Sequence, residues 1–108
     1  MRIADILRRK GAEVHTVHPS MSVADLLAML AERNVGALVV VDGETVCGIV
    51  SERDVERRMS ERGRALLDCL TSEIRTTTVV SCRPDDSVDA VMRLMTAHHF
   101  RHVPVIVD

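Results

Sequence analysis

PSMSVADLLAMLAERNVGALVVVDG (residues 19–43) and PDDSVDAVMRLMTAHHFRHVPVIVD (residues 84–108) align without a gap at an offset of 65 positions. Pro19 meets Pro84, Ser22 meets Ser87 and Val23 meets Val88, so the chain carries an internal duplication. In each copy apolar residues recur at i, i+3, i+4 and i+7: Val23, Leu26, Leu27 and Leu30, then Val88, Val91, Met92 and Met95. That spacing predicts one buried face of an amphipathic helix per copy, which places both methionines in the core rather than in a metal or redox role. Ser22 with Asp25, and Ser87 with Asp89, bring acceptors and negative charge to helix starts whose amides lack partners.

Working outward, a β-branched stretch precedes each helix, EVHTV (13–17) and TTTVV (76–80), and an apolar run follows it, Ala37 to Val41 and Val103 to Val107. Each copy therefore reads strand, helix, strand. After the first, Asp42-Gly43 signals a hairpin into a further strand, VCGIV (46–50), and a charged helix from about Glu52, which gives β-α-β-β-α. Residues 56–76 are charged, carry a breaker at Gly63 and are expected to form short linking helices, and the first dozen residues are expected to form a lead-in helix. The resulting division is 1–62, a first half with its lead-in; 63–76, a linker; and 77–108, a second half. The fold class is α+β, with small sheets packed against helices. The second copy reaches Asp108 where the first has reached only its hairpin turn. The last strand is accordingly expected to lack its hairpin partner and to leave an apolar edge for another chain.

Composition narrows the function. The core must be aliphatic, because Phe100 is the one Phe and there is no Trp or Tyr. Three cysteines, Cys47, Cys69 and Cys82, have no CxxC spacing and read as free thiols of a cytoplasmic protein, with Cys47 an inert small hydrophobe inside a strand. The longest apolar run, VGALVVV, is too short to span a bilayer. Net charge is −2 with interleaved signs and no stacking aromatics, which argues against nucleic acid as a partner. No GxSxG, GxxxxGK or HExxH motif is present, so no catalytic residue is assigned. His98, His99 and His102 straddle the expected helix end without a carboxylate or cysteine beside them, and no metal site is assigned either.

One short stretch carries chemistry. In GIVSERDV (48–55) a buried strand ends on Ser51 and places Asp54 three residues later. Ser-x-x-Asp is an ordinary helix cap, yet a carboxylate one turn into a helix is also a clamp for the two hydroxyls of a ribose. Ser51, at the positive end of the helix, would offer its hydroxyl to a phosphate. The two roles can coexist.

With its duplication, the Gly48-Ile49-Val50-Ser51-x-x-Asp54 pattern and the RHVPVIVD run (101–108), the chain resembles a tandem of cystathionine-β-synthase (CBS) domains, the Bateman module. The resemblance implies two β-α-β-β-α halves about a pseudo-two-fold axis, the second incomplete. It implies a regulatory ligand, AMP, ADP, ATP or S-adenosylmethionine, and no enzymatic activity. Carried over by position, the first ligand cleft would use Ser51 and Asp54 with Ser81, Arg101, His102 and the adjoining Val103. The opposite cleft would use Thr16, Ala37 and Leu38 with a second Ser/Thr and Asp that the chain does not contain, so one ligand per chain is expected. A homodimer and an unknown effector protein are the implied partners. The alternative is a module that binds no nucleotide and serves dimerisation or protein interaction.

Overall fold

A computed structural model describes residues 1–11 and 13–107. Asp108, the end of the RHVPVIVD run, lies outside the described residues. The chain divides into two compact units, Val14–Val79, and Met1–Glu13 together with Val80–Asp108.

The larger unit realises the β-α-β-β-α reading: β1 Thr16–Val17, α2 Val23–Arg33, β2 Ala37–Asp42, β3 Thr45–Ser51 and α3 Glu52–Arg62, with α1 Ile3–Lys10 preceding them. The sheet order is β1-β2-β3. β1 runs parallel to β2, so α2 serves as the crossover between them, whereas β2 and β3 form an antiparallel hairpin. Gly43 turns that hairpin at φ 63°, in the left-handed region that glycine enters without steric cost. Between Val40 and Val41 the register slips by one, leaving Cys47 as the extra residue of a β-bulge. Its carbonyl is not orphaned, because Arg75 Nε donates to it at 2.9 Å. Val23, Leu26 and Leu30 of α2 are buried against Leu38, Val40 and Val50 of the sheet, with Val17, Val55, Leu66 and Ile74 completing the core.

The two long helices of the repeat begin and end alike. Ser22 and Ser87 accept from the amides of Asp25 and Ala90 at 3.2 and 3.1 Å. At the other end Asn34 and His99, again 65 positions apart, adopt left-handed φ values of 53° and 58°. The next amides, Val35 N and Phe100 N, then reach back to Leu30 O and Met95 O at 3.1 and 3.0 Å.

The smaller unit contains α1 and α5, Val88–His98. Here two expectations are corrected. TTTVV and the 103–107 run do not form strands: Thr76 makes an isolated bridge to Ile49, and Cys82 makes one to Val105. A β-branched run favours extended backbone but does not supply a partner, and the boundary between the units, after Val79, falls inside this one. Met92 is not a core residue. It is 58% exposed, because this copy has a single bridge where the first has a three-stranded sheet to cover its helix. Ile3, Cys82 and Val91 form the small core, with Ile6, Leu7, Val88, Met95, Val103 and Val105 against it.

The lead-in segments exchange. The segment before the first copy docks on the second: Ile3 N donates to Asp86 O, Ala4 N to Pro84 O and Val88 N to Met1 O. After α3 come a 3₁₀ helix, Gly63–Asp68, and α4, Thr71–Ile74, which precedes the second copy and docks on the first. There Thr71 N donates to Met21 O, Ser72 N to Pro19 O and Val23 N to Cys69 O. The two sets of bonds match position for position, so each lead-in satisfies the same exposed backbone in front of a long helix. The sequence grouping of 1–62 placed α1 with the copy that follows it; its bonds run to residues 84–88 instead.

No helix among the described residues is long and apolar enough to cross a membrane. All three cysteines are free; Cys82 is buried, and burial pushes its thiol up, with the Asp86 carboxylate adding to the shift. A raised thiol is a smaller thiolate fraction at neutral pH. Alkylation of the native protein followed by mass spectrometry should therefore label the half-buried Cys47 and Cys69 before Cys82, and equal rates would contradict this packing.

Candidate functional site

Ser51 sits where β3 becomes α3. Its backbone is extended (φ −126°, ψ 167°), and it caps the helix. Ser51 N and Oγ donate to Asp54 Oδ2 at 2.9 and 3.2 Å, while Ser51 Oγ accepts from Asp54 N at 3.4 Å. Thr76 Oγ1 donates to the other carboxylate oxygen, Oδ1, at 3.2 Å. A carboxylate has about four lone-pair sites, and three donors leave room on Oδ1 for one more. Asp54 thus holds the helix start and the 75–78 segment while keeping capacity for a hydroxyl.

Thr76 reaches Asp54 because its backbone is fixed to β3: Ile49 N donates to Thr76 O at 3.0 Å and Thr76 N to Ile49 O at 2.8 Å. That close approach explains Gly48. A Cβ there would lie 2.7 Å from Arg75 Cδ and 2.9 Å from Thr76 O. The glycine of the GIVSxxD pattern is therefore a space requirement of the neighbouring segment.

Asp54, Arg57, Arg58 and Glu61 on one face of α3, facing Arg75 and Thr76–Thr78, line a concavity of about 390 Å³. That falls within the roughly 300–1,000 Å³ of small-molecule sites. Arg58 Nη1 pairs with Glu61 Oε2 at 3.3 Å, and Arg75 is spent on the carbonyls of Cys47 and Ser72. Among the described residues no hydrogen bond or ion pair engages the Arg57 guanidinium, which is exposed. A second concavity, about 470 Å³ between α2 and α3, is walled by Leu27, Leu30, Val35 and Val55 with Glu52 and Glu56 and has no cationic lining residue.

Of the residues singled out from sequence, Ser51 and Asp54 are brought together, and Ala37 is the direct cross-strand partner of Ser51. Thr16 is exposed on the edge strand beside Val39, and Leu38 is 2% exposed, so it has its backbone rather than its side chain to offer. In the other unit Ser81 is exposed next to Cys82, Arg101 and His102 are exposed, and Val103 packs on the Ile3 core. Sequence reasoning missed Thr76, Arg57, Arg58 and Arg75. The two arginines after Asp54 follow it at i+3 and i+4, a spacing that could have marked them as sharing its face. Among the described residues no group of three His, Cys, Asp or Glu is placed to hold a metal ion.

The chain thus joins a β-α-β-β-α unit with a Ser-x-x-Asp helix start to a partial second copy of its 19–43 segment. Residues 3–61 and 72–108 match the CBS domain, and the chain belongs to that family. It is 31% identical to CBS domain-containing protein YhcV of Bacillus subtilis, over 87% of this chain and 66% of that protein. It is also 31% identical to the mitochondrial CBSX3 of Arabidopsis thaliana, over 98% of this chain and 56% of that protein. The chain thus spans between about half and two thirds of these relatives. Among solved structures it superposes on the CBS-domain containing protein ATU1752 of Agrobacterium tumefaciens with a TM-score of 0.97 at 37% identity, covering 100% of this chain and 86% of that one. The CBS domain pair of protein MJ0100, in complex with 5′-methylthioadenosine and S-adenosyl-L-methionine, gives 0.88 at 25% identity over 100% and 82%. CBSX2 in complex with AMP gives 0.76 at 26% over 98% and 81%.

Proposed function

We propose that this chain is a regulatory, non-catalytic module that binds an adenosine-containing ligand through Asp54, working as a cytoplasmic homodimer that passes the ligand state to an effector protein. The observation that carries the reading is the Asp54 carboxylate, held by three donors with acceptor capacity left, at the head of a polar concavity. The AMP and S-adenosylmethionine complexes of similar CBS proteins support the ligand class. Ser81, Arg101, His102 and Val103 are proposed as further contacts to this ligand, and Thr16 and Ala37 as contacts to a ligand of the opposite cleft.

Asp54→Asn tests the reading. A ribose clamp loses a charge-assisted bond of roughly 1.5–3 kcal/mol, so affinity should fall about 10- to 100-fold. The apo protein loses less, about 1 kcal/mol, since Asn tolerates a helix start but turns a donor toward Thr76 or Ser51. Thermal midpoints with and without AMP or S-adenosylmethionine separate the two effects. With no Trp or Tyr in the chain, the absorbance of a bound adenine also stands almost alone in the near ultraviolet.

The capping box favours a second reading, an interaction module in which Ser51 and Asp54 serve only the helix. A weakened apo variant with an intact ligand response, or no response in the wild type, would favour it.

A further inference from the structure

Resting on the adenosine reading of the Asp54 pocket, we infer that its ligand is an adenosine 5′-phosphate and that Arg57 selects it over adenosine compounds that carry no phosphate on the 5′ carbon. The start of α3 has little to give a phosphate. Ser51 N is taken by Asp54, Glu52 N by Gly36 O at 3.0 Å and Asp54 N by Ser51 Oγ. Within the Val14–Val79 unit, negative charge is therefore met further along the pocket.

Three guanidiniums line it. Arg75 is tied to two carbonyls and Arg58 shares its charge with Glu61, whereas Arg57 is exposed and uncommitted among the described residues. Arg57 follows Asp54 by three residues on the same face, about 4.5 Å along the helix axis. A nucleoside holds its 5′ group at a comparable reach from its 2′,3′-diol, so a ribose on Asp54 sets its 5′ substituent at the level of Arg57. A phosphate there gains the planar donor fork of arginine. A methylthio group gains nothing, and the sulfonium that S-adenosylmethionine carries on the same carbon meets like charge, its carboxylate lying further out along the methionyl chain. The arginine is thus a specificity-determining residue on the face whose carboxylate holds the sugar.

Calorimetry on the full chain with AMP, 5′-methylthioadenosine and S-adenosylmethionine tests this. AMP should bind at least about tenfold tighter than the other two, Arg57→Gln should remove about tenfold from AMP alone, and Arg57→Lys should restore part of it. Equal affinity for AMP and 5′-methylthioadenosine, or an Arg57→Gln variant that binds AMP as the wild type does, overturns the inference and leaves the adenosine reading standing. Silence of the wild type toward all three compounds overturns both.

Discussion

Truncating Leu26 to alanine should cost about 3 kcal/mol, within the roughly 2–5 kcal/mol of buried leucine truncations. Leu26 has 0% exposure and lies at the centre of the cluster in which α2 meets β2 and β3. Its counterpart in the repeat is Val91, which is 8% exposed and shares a cluster of three buried residues. Val91→Ala removes two methyl carbons from a thinner core and should cost about 1–2 kcal/mol at ~0.8 kcal/mol per carbon. Denaturant unfolding of the two variants measures the difference between the copies. If Val91→Ala proved the more damaging, the larger core would not be the main source of stability. A net stability of about 5–15 kcal/mol makes the Leu26 loss a large fraction of the whole.

The same pair shows what the sequence makes legible. Leu26 and Val91 were identifiable because a helix writes its buried face into residues three and four apart, and because Ser22 and Ser87 mark where each helix begins. Ser51 and Asp54 were identifiable for the same reason, since a cap and its partner lie three residues apart. Met92 occupies the same kind of position as Leu27 yet is exposed, because periodicity states which face is apolar and not whether a sheet exists to cover it. Thr76 was unreadable as a partner of Asp54: 22 residues separate them, and a Thr-Thr-Thr run suggests only extended backbone. The exchange of α1 and α4 between copies was hidden likewise. Each docks by backbone amides and carbonyls, which every residue possesses, so no side-chain pattern records the pairing.

Gly48→Val should be the most damaging single change at the site, with a cost of roughly 3 kcal/mol, the upper part of the overpacking range. The added Cβ would stand 2.7 Å from Arg75 Cδ and 2.9 Å from Thr76 O. The arginine can swing away only by giving up its bond to the Cys47 carbonyl, which leaves the bulge unsatisfied. The Thr76 oxygen can retreat only by breaking its bond from Ile49 N. Either route moves Thr76 away from Asp54 and alters the pocket wall, so ligand response should fall together with stability. This separates the variant from Asp54→Asn, which should lose affinity while the apo protein loses only about 1 kcal/mol. Hydrogen exchange at the Ile49 and Thr76 amides reads the displacement directly. A Gly48→Val protein with wild-type stability and undiminished protection at both amides would show that a side chain fits at position 48 without displacing the 75–78 segment, and the account given of the GIVSxxD glycine would fail.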